Sequence, residues 1–387
     1  LANTLTNILP KILARGLMTL RQRVIMPRLV NLDYSTDAAS KGDVINVPIP
    51  AAATAAAVTP SNTPPTPASK APTVIQVPLD QWEHSDFHLT DKELGQIEKT
   101  KHFLPMQAEE AIKALANSVN QEIWSKYTGI YGYTGTAGTT PFAAAANIVD
   151  ATNLRKILNK QLCPKSDRRV VLDYDAEANA LALAPFRDVS QSSDRSLIIE
   201  GEIGRKFGME WFADDHVPTH TKGTLSNGTD PSAEVDGIHA IGAESVALAN
   251  TVLTGTLVAG DIISFAGHSQ TYVVTALATA AANAIAAVGI APALTTALAD
   301  NEVMTLKGSH VVNLAFNKFA FAFATRPLVQ TVADLQLGSK MMSMQDPASG
   351  IVLRLEVSRQ YKQTVWDFDI LWGSKLVRPE LAARLAG

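Results

Sequence analysis

The run GDVINVPIP (Gly42–Pro50), then AAATAAAVTPSNTPPTPASKAP (51–72), then TVIQVPLDQW (Thr73–Trp82), decides how the rest of the chain is read. Val44, Asn46 and Pro48 alternate with Ile45, Val47 and Ile49, and Thr73, Ile75 and Val77 alternate with Val74, Gln76 and Pro78. A period of two predicts a pair of strands. Pro48 and Pro78 have no ladder donor and are tolerated on edge strands, so the pair is expected to stand away from any central sheet. Hairpin loops usually hold about 2 to 5 residues, and structureless loops beyond about 12 to 15 are functional or disordered. Matched strands on both sides argue against a plain linker, so this long loop of Ala, Pro, Thr and Ser is expected to have a purpose.

The bulk properties narrow the options. At 387 residues the chain suits two domains, or one domain with projections and an insertion. With 46% hydrophobic and 18% charged residues it is globular and charge-poor. The net charge of -4, without a Lys/Arg-rich arm at either end, gives no general attraction for a polyanion, and direct nucleic-acid binding is not expected. A lone Cys163 excludes an intramolecular disulfide; on the helix-like NLRKILNKQLC it reads as a small core side chain in a reducing compartment. No apolar run reaches the roughly 18 residues of a membrane span.

Working outward, residues 3–34 carry loosely helical apolar spacing broken by Pro10 and Pro27, an arm of short helices made locally basic by Arg21, Arg23 and Arg28. LPMQAEEAIKALANSVNQEIWSKYTG predicts a long helix over 104–127, with Ile112, Leu115, Ala116, Val119 and Ile123 on one face. A second helix is expected over 151–161, then a strand at 170–174 with a short helix after it. GEIGRKFG reads as a glycine-punctuated helix or turn, and a strand is expected near 210–213. Between Gly237 and Ala299 Glu244 and Asp261 are the only acidic or basic residues apart from histidine, and β-branched runs predict a small β-rich insertion. GIVLRLEVSRQY and TVWDFDILWG predict an antiparallel pair joined at Lys362 and Gln363.

Catalytic patterns find little support. IISFAGHSQT places Ser269 after a strand, but a nucleophile elbow needs a second glycine and a following helix. Pro218 separates His216 from His220 and spoils a shared helical face. His84 and His88 lie four apart in a strand-like run, roughly 13 Å from each other. Asp214 and Asp215 precede His216 without an evident orienting partner. The glycines of GEIGRKFG fit neither a dinucleotide fingerprint nor a phosphate loop.

Six segments, in order, carry a resemblance: ANTLTN (2–7), GDVINVPIP (42–50), EGEIGRKFGMEWFADDHVPTHT (200–221), GTLVAGDIISFAG (255–267), IAPALTTALADNEVM (290–304) and NLAFNKFAFAFATRPL (313–328). The chain resembles, over essentially its whole length, the tailed-phage major capsid (coat) proteins of the Hong Kong 97-type fold, in the P-twenty-two-type branch with a β insertion domain. The resemblance implies an α+β fold: an N-terminal arm (1–40), an extended loop hairpin (41–90), a peripheral domain (91–165 plus 330–387) with the spine helix 104–127, and an axial domain (166–329) with a barrel-like insertion at about 223–309. It also implies a non-enzymatic virion protein without cofactor or metal. Such subunits form pentamers and hexamers in an icosahedral shell around double-stranded DNA, assembled in the host bacterial cytoplasm with a scaffolding protein and portal, sometimes a decoration protein, and no membrane. Assembly contacts are then expected at Asp43, Pro60, Pro64, Pro65, Lys70, Trp82, Arg21 and Arg23. The charged loop that joins capsomers in that branch has no counterpart in this nearly uncharged insertion, whose contacts are expected to be apolar or hydroxyl-mediated. The competing readings are an α/β hydrolase-like enzyme and another phage structural protein of tail or adhesin type.

Overall fold

In the computed structural model the described residues are 13–14, 16–18, 20, 24–33, 39–49, 55, 57–58, 60, 62, 72–92, 106–143, 148–187, 203–328, 339–346 and 350–387. They fall into two compact units, the first drawn from segments 1–20, 32–115 and 322–375, the second from 21–31, 116–321 and 376–387. The long helix, Met106–Ser125, crosses that division and continues as a 3-10 turn, Lys126–Gly129. Ile112, Leu115, Ala116, Val119 and Ile123 are all buried, the face that the 3.6-residue period marks out.

The first unit contains a six-stranded sheet. In order, Asn31–Asp33, Phe321–Thr325, Gln363–Leu376, Val352–Gln360 and Ser339–Gln345 are neighbours, and Gln81–Thr90 also pairs with Gln363–Leu376. The last two long strands form the expected antiparallel hairpin, but Gln360 pairs with Gln363, so the turn is Tyr361–Lys362 and not Lys362–Gln363. Lys362 takes φ 55° there. Val44–Ile49 and Thr73–Pro78 form a separate two-stranded sheet with Val44 opposite Pro78 and Ile49 opposite Thr73.

The second unit is built on a seven-stranded mixed sheet. Gly132–Gly135, Ala382–Ala386, His310–Asn317, Arg168–Leu172, Met209–Ala213 and Gly204–Lys206 lie side by side, and Thr219–His220 pairs with the start of His310–Asn317. Residues 376–387, grouped by the sequence reading with 330–375, thus fall in this unit. The helix Val149–Lys160 ends before Cys163, which is buried in the following turn instead of on the helix. The described residues of GEIGRKFG form a turn, the second of the two readings: Gly204–Lys206 pairs with Met209–Ala213 through Phe207 and Gly208, at φ 54° and 76°. Two consecutive positive φ values are those of a type I′ hairpin turn.

From Ser232 to Leu306 the chain closes a six-stranded barrel in the order Ser232–Val235, Ser245–Ala249, Ala284–Ala291, Thr271–Val274, Ile262–Phe265, Val303–Leu306. Alternate residues fill its interior, among them Ala233 and Val235, Val246 and Leu248, Ile263 and Phe265, Tyr272 and Val274, Met304 and Leu306. Closure removes the sheet edges.

Candidate assembly surfaces and buried polar centres

The two-stranded hairpin is rooted at one end. Val77 and Leu79 are fully buried, Lys375 Nζ donates to the Gln76 carbonyl at 3.0 Å, and a Cβ at Gly373 would collide with the Pro78 carbonyl. Away from the root the strands alternate exposed and half-buried, with Val44 and Val74 about half exposed. Asp43 caps the turn into the hairpin: it accepts the Ser40 N–H at 2.7 Å on its carboxylate and the Leu79 N–H at 2.8 Å on its carbonyl. Pro60 is exposed. Pro64, Pro65, Lys70, Arg21 and Arg23 lie outside the described residues.

Trp82 opens the strand Gln81–Thr90 and remains 47% exposed, with its Nε1 donating to Asp369 Oδ2 at 3.1 Å. Arg354 also binds Asp369 with two guanidinium nitrogens. On the same face Asp86, Asp367 and Glu356 sit directly opposite one another on three adjacent strands, an arrangement of like charges that opposes pairing. Burial raises the Asp367 carboxyl above its usual range, with Asp369 and Asp86 pushing the same way against the His84 ring at 3.2 Å. His84 and His88 face solvent, and among the described residues they join no metal-ligating group.

Two buried polar centres occupy the second unit. Asp214, for which the sequence offers no orienting partner, in fact accepts four contacts from three donors: Asn120 Nδ2 at 3.1 and 2.8 Å, Trp124 Nε1 at 2.8 Å and the His216 N–H at 3.1 Å. Asn120 Oδ1 accepts the Met26 N–H at 3.0 Å, so one amide ties the short helix Met26–Leu29 to the long helix and to the end of a sheet strand. Asp214, Asp215 and His216 offer ligand atoms within 4.8 Å of one another, but Asp214 is already saturated by donors, and the group reads as structural.

The second centre lies where the barrel meets the sheet. Arg384, fully buried on Ala382–Ala386, donates from Nη1 to the Gly260 carbonyl at 2.8 Å and stands 5.1 Å from the Tyr127 ring centroid. The Tyr127 hydroxyl meets His220 Nδ1 at 3.1 Å, and His220 Nε2 meets Asp261 Oδ1 at 2.9 Å. Asp261 also accepts the Gly223 and Val258 N–H groups. Burial lowers the Arg384 guanidinium to about 9 and, with Arg384 and His220 nearby, the His310 imidazole to about 4. The Tyr–His–Asp order has the connectivity of a proton relay, yet His220 is 3% exposed and Asp261 0%, so no substrate reaches it and the centre fastens two substructures. His220 and His216 therefore belong to different centres. The signal in the sequence was Asp261, one of two acids in a stretch otherwise devoid of charge.

Ser269 lies in the turn between the paired strands Ile262–Phe265 and Thr271–Val274. A strand-turn-strand has no helix to place a nucleophile at its N-terminus, which removes the elbow geometry. No helix among the described residues is long and apolar enough to cross a membrane.

No family model and no curated protein matches the chain. Solved structures do. A chain of Mycobacterium phage Che8 is 14% identical at TM-score 0.49, covering 94% of this chain and 91% of that one. The mature capsid of bacteriophage PhiM1 gives 10% identity and TM-score 0.44 over 94% and 87%. The capsid structure of the cyanophage P-SCSP1u gives 13% identity and TM-score 0.50 over 94% of this chain and 88% of that one, and on it the assignment rests. This chain has the fold of a phage capsid protein.

Proposed function

We propose that this chain is the major capsid protein of a tailed double-stranded DNA bacteriophage, a non-enzymatic subunit that assembles as pentamers and hexamers into an icosahedral shell. The observation that carries the reading, beside the fold, is the hairpin Val44–Ile49/Thr73–Pro78. An isolated two-stranded ribbon is at best marginally stable in water. This one is anchored at its root, pairs with no other described strand and carries a connection of more than twenty residues, so it gains most of its stability by lying on a neighbour. Many weak repeated contacts of this kind close a shell. Asp43 and Trp82 at the root, Pro60, Pro64, Pro65 and Lys70 on the loop, and Arg21 and Arg23 on the arm are the proposed assembly residues. A scaffolding protein, a portal and packaged DNA are the expected partners, the virion capsid the location, and the host cytoplasm the place of assembly.

Removing residues 52–69 and closing the loop with a short turn tests this. The variant is expected to keep the folded circular-dichroism spectrum and to lose shells in negative-stain micrographs. A variant that assembles normally sinks the role given to the hairpin. Wild-type protein that stays monomeric with and without a co-expressed scaffold sinks the capsid reading itself.

A further inference from the structure

The overall charge of -4 conceals a local excess of the opposite sign. Helix Val149–Lys160 buries Ala151, Leu154 and Leu158, and at 3.6 residues per turn Lys156 and Lys160 fall on the opposite, exposed side. The chain then turns through Leu162, at φ 58° and 88% exposed, and presents Lys165. Lys318 is brought to the same turn from far along the sequence: its N–H donates to the Asp167 carbonyl at 3.2 Å, and the preceding Asn317 Nδ2 donates to the Ser166 carbonyl at 2.7 Å.

Lys156, Lys160, Lys165 and the half-buried Lys318 thus come from two segments that meet at the turn before Arg168–Leu172. None of them is in an ion pair with a described carboxylate, whereas Lys113, Lys126, Arg354, Arg359 and Arg378 each are. Beneath them Arg168, 3% exposed, spends its guanidinium on the neutral Cys163 and Pro164 carbonyls, which leaves its charge to add to the local field. Asp167 is the one acid in the turn; Asp150 lies at the far end of the helix, occupied by the Phe142 N–H at 3.0 Å.

We infer that this face binds the phosphodiester backbone of duplex nucleic acid without reading its sequence. All four cations are lysines, mobile point charges that suit a line of phosphates, whereas recognition of carboxylates on an acidic protein favours the bidentate arginine fork. The inference rests on the shell reading, in which packaged DNA is the polyanion within reach. It runs against the expectation, drawn from the net charge and the lack of a Lys/Arg-rich arm, that the chain does not bind nucleic acid directly.

The test uses dispersed full-length subunits and a fluorescent duplex of about 30 base pairs, with affinity followed against salt. Four phosphate contacts give a slope of about -3.6, so binding falls by about 150-fold between 50 and 200 mM salt. Each single substitution, Lys156→Gln, Lys160→Gln, Lys165→Gln or Lys318→Gln, is expected to make the slope shallower by about 0.9, and the quadruple variant to lose nearly all binding. A slope near zero, or a folded quadruple variant that binds like wild type, overturns the inference. So does polyglutamate that binds as tightly as the duplex, since it assigns the face to an acidic protein. Should the quadruple variant fail to fold, the four single variants still decide. Particles seen by negative stain with unaltered DNA affinity refute this face alone; wild-type protein that forms no particles refutes the shell reading.

Discussion

Replacing Asp261 with alanine probes the junction between barrel and sheet most directly. The carboxylate is wholly buried and accepts from His220 Nε2, the Gly223 N–H and the Val258 N–H. Its removal strands three donors, each of which costs about 1 to 3 kcal/mol when buried without a partner. It also leaves the Arg384 charge without its nearest compensating carboxylate, a loss of about 3 to 5 kcal/mol for buried pairs in general. The two estimates overlap because they count the same broken network, and local relaxation recovers part, so about 4 kcal/mol is expected. The conservative Asp261→Asn keeps an acceptor for the backbone donors and should lose about 2 kcal/mol.

Because the chain has two units, a global unfolding midpoint would blur the effect, and native-state hydrogen exchange on the amides of Ile262–Phe265 and Thr271–Val274 is the proper assay. Their opening free energies should fall together by the amount given, while those of Val352–Gln360 in the other unit stay put. Adding Arg384→Met to Asp261→Ala should cost less than the sum of the single changes, with a coupling above about 1 kcal/mol. An alanine variant within about 1 kcal/mol of wild type, or additive effects in the double variant, would refute the account of the junction.

Three further outcomes follow from the same unit. His310, held at about 4 by burial against an unfolded value near 6.5, resists the proton in the folded state; its stabilising share is whole above about pH 6.5, declines as pH falls to about 4, and amounts to about 3 kcal/mol, measurable by exchange at pH 7.5 and 4. Trp124→Phe removes the Nε1 donor to Asp214 and puts a smaller ring in a fully buried site, and should destabilise by about 2 to 4 kcal/mol in the same assay. Gly223→Ala sets a Cβ against the Thr256 carbonyl and the Leu257 backbone and should lower the opening free energies of Ile262–Phe265 in the same assay.

What the sequence reveals is what local chemistry decides. The long helix is legible because its apolar residues repeat over five turns, and its observed ends, Met106 and Ser125, fall within two residues of the reading. The hairpin Val44–Ile49/Thr73–Pro78 is legible because period-two alternation and prolines act within each strand. Where the reading fails, the deciding partner is distant or the period is too short to register. Gly204–Lys206 is a three-residue strand that owes its existence to Met209–Ala213 and to Phe207 in a left-handed conformation, which no propensity favours. The closure of the barrel depends on Ser232–Val235 meeting Val303–Leu306 across seventy residues of chain. The partners of Asp214 come from a helix some ninety positions earlier, and the basic face joins Lys165 to Lys318 through a turn that composition does not record.

The junction network also bears on why charge was kept there at all. A buried ionic cluster is seldom more stable than well-packed apolar side chains of the same volume, so stability alone does not account for Arg384, Asp261 and His220. The apolar contact beside them is small, with Tyr131, Ile262 and Val273 at its centre and Tyr133 and Ala291 at its margin. Apolar contact is non-directional and would tolerate several seatings of the barrel. The Arg384 bond to the Gly260 carbonyl, the His220 bridge and the Thr271 hydroxyl on the Tyr131 carbonyl at 2.7 Å are directional, and they are satisfied together in one seating. If the subunit repeats in a closed shell, an error of a few degrees in that seating is multiplied at every contact. On this argument the network should matter more for the uniformity of particles than for the survival of the fold, and Asp261→Asn, folded but loosened, should give a broader distribution of particle diameters than wild type.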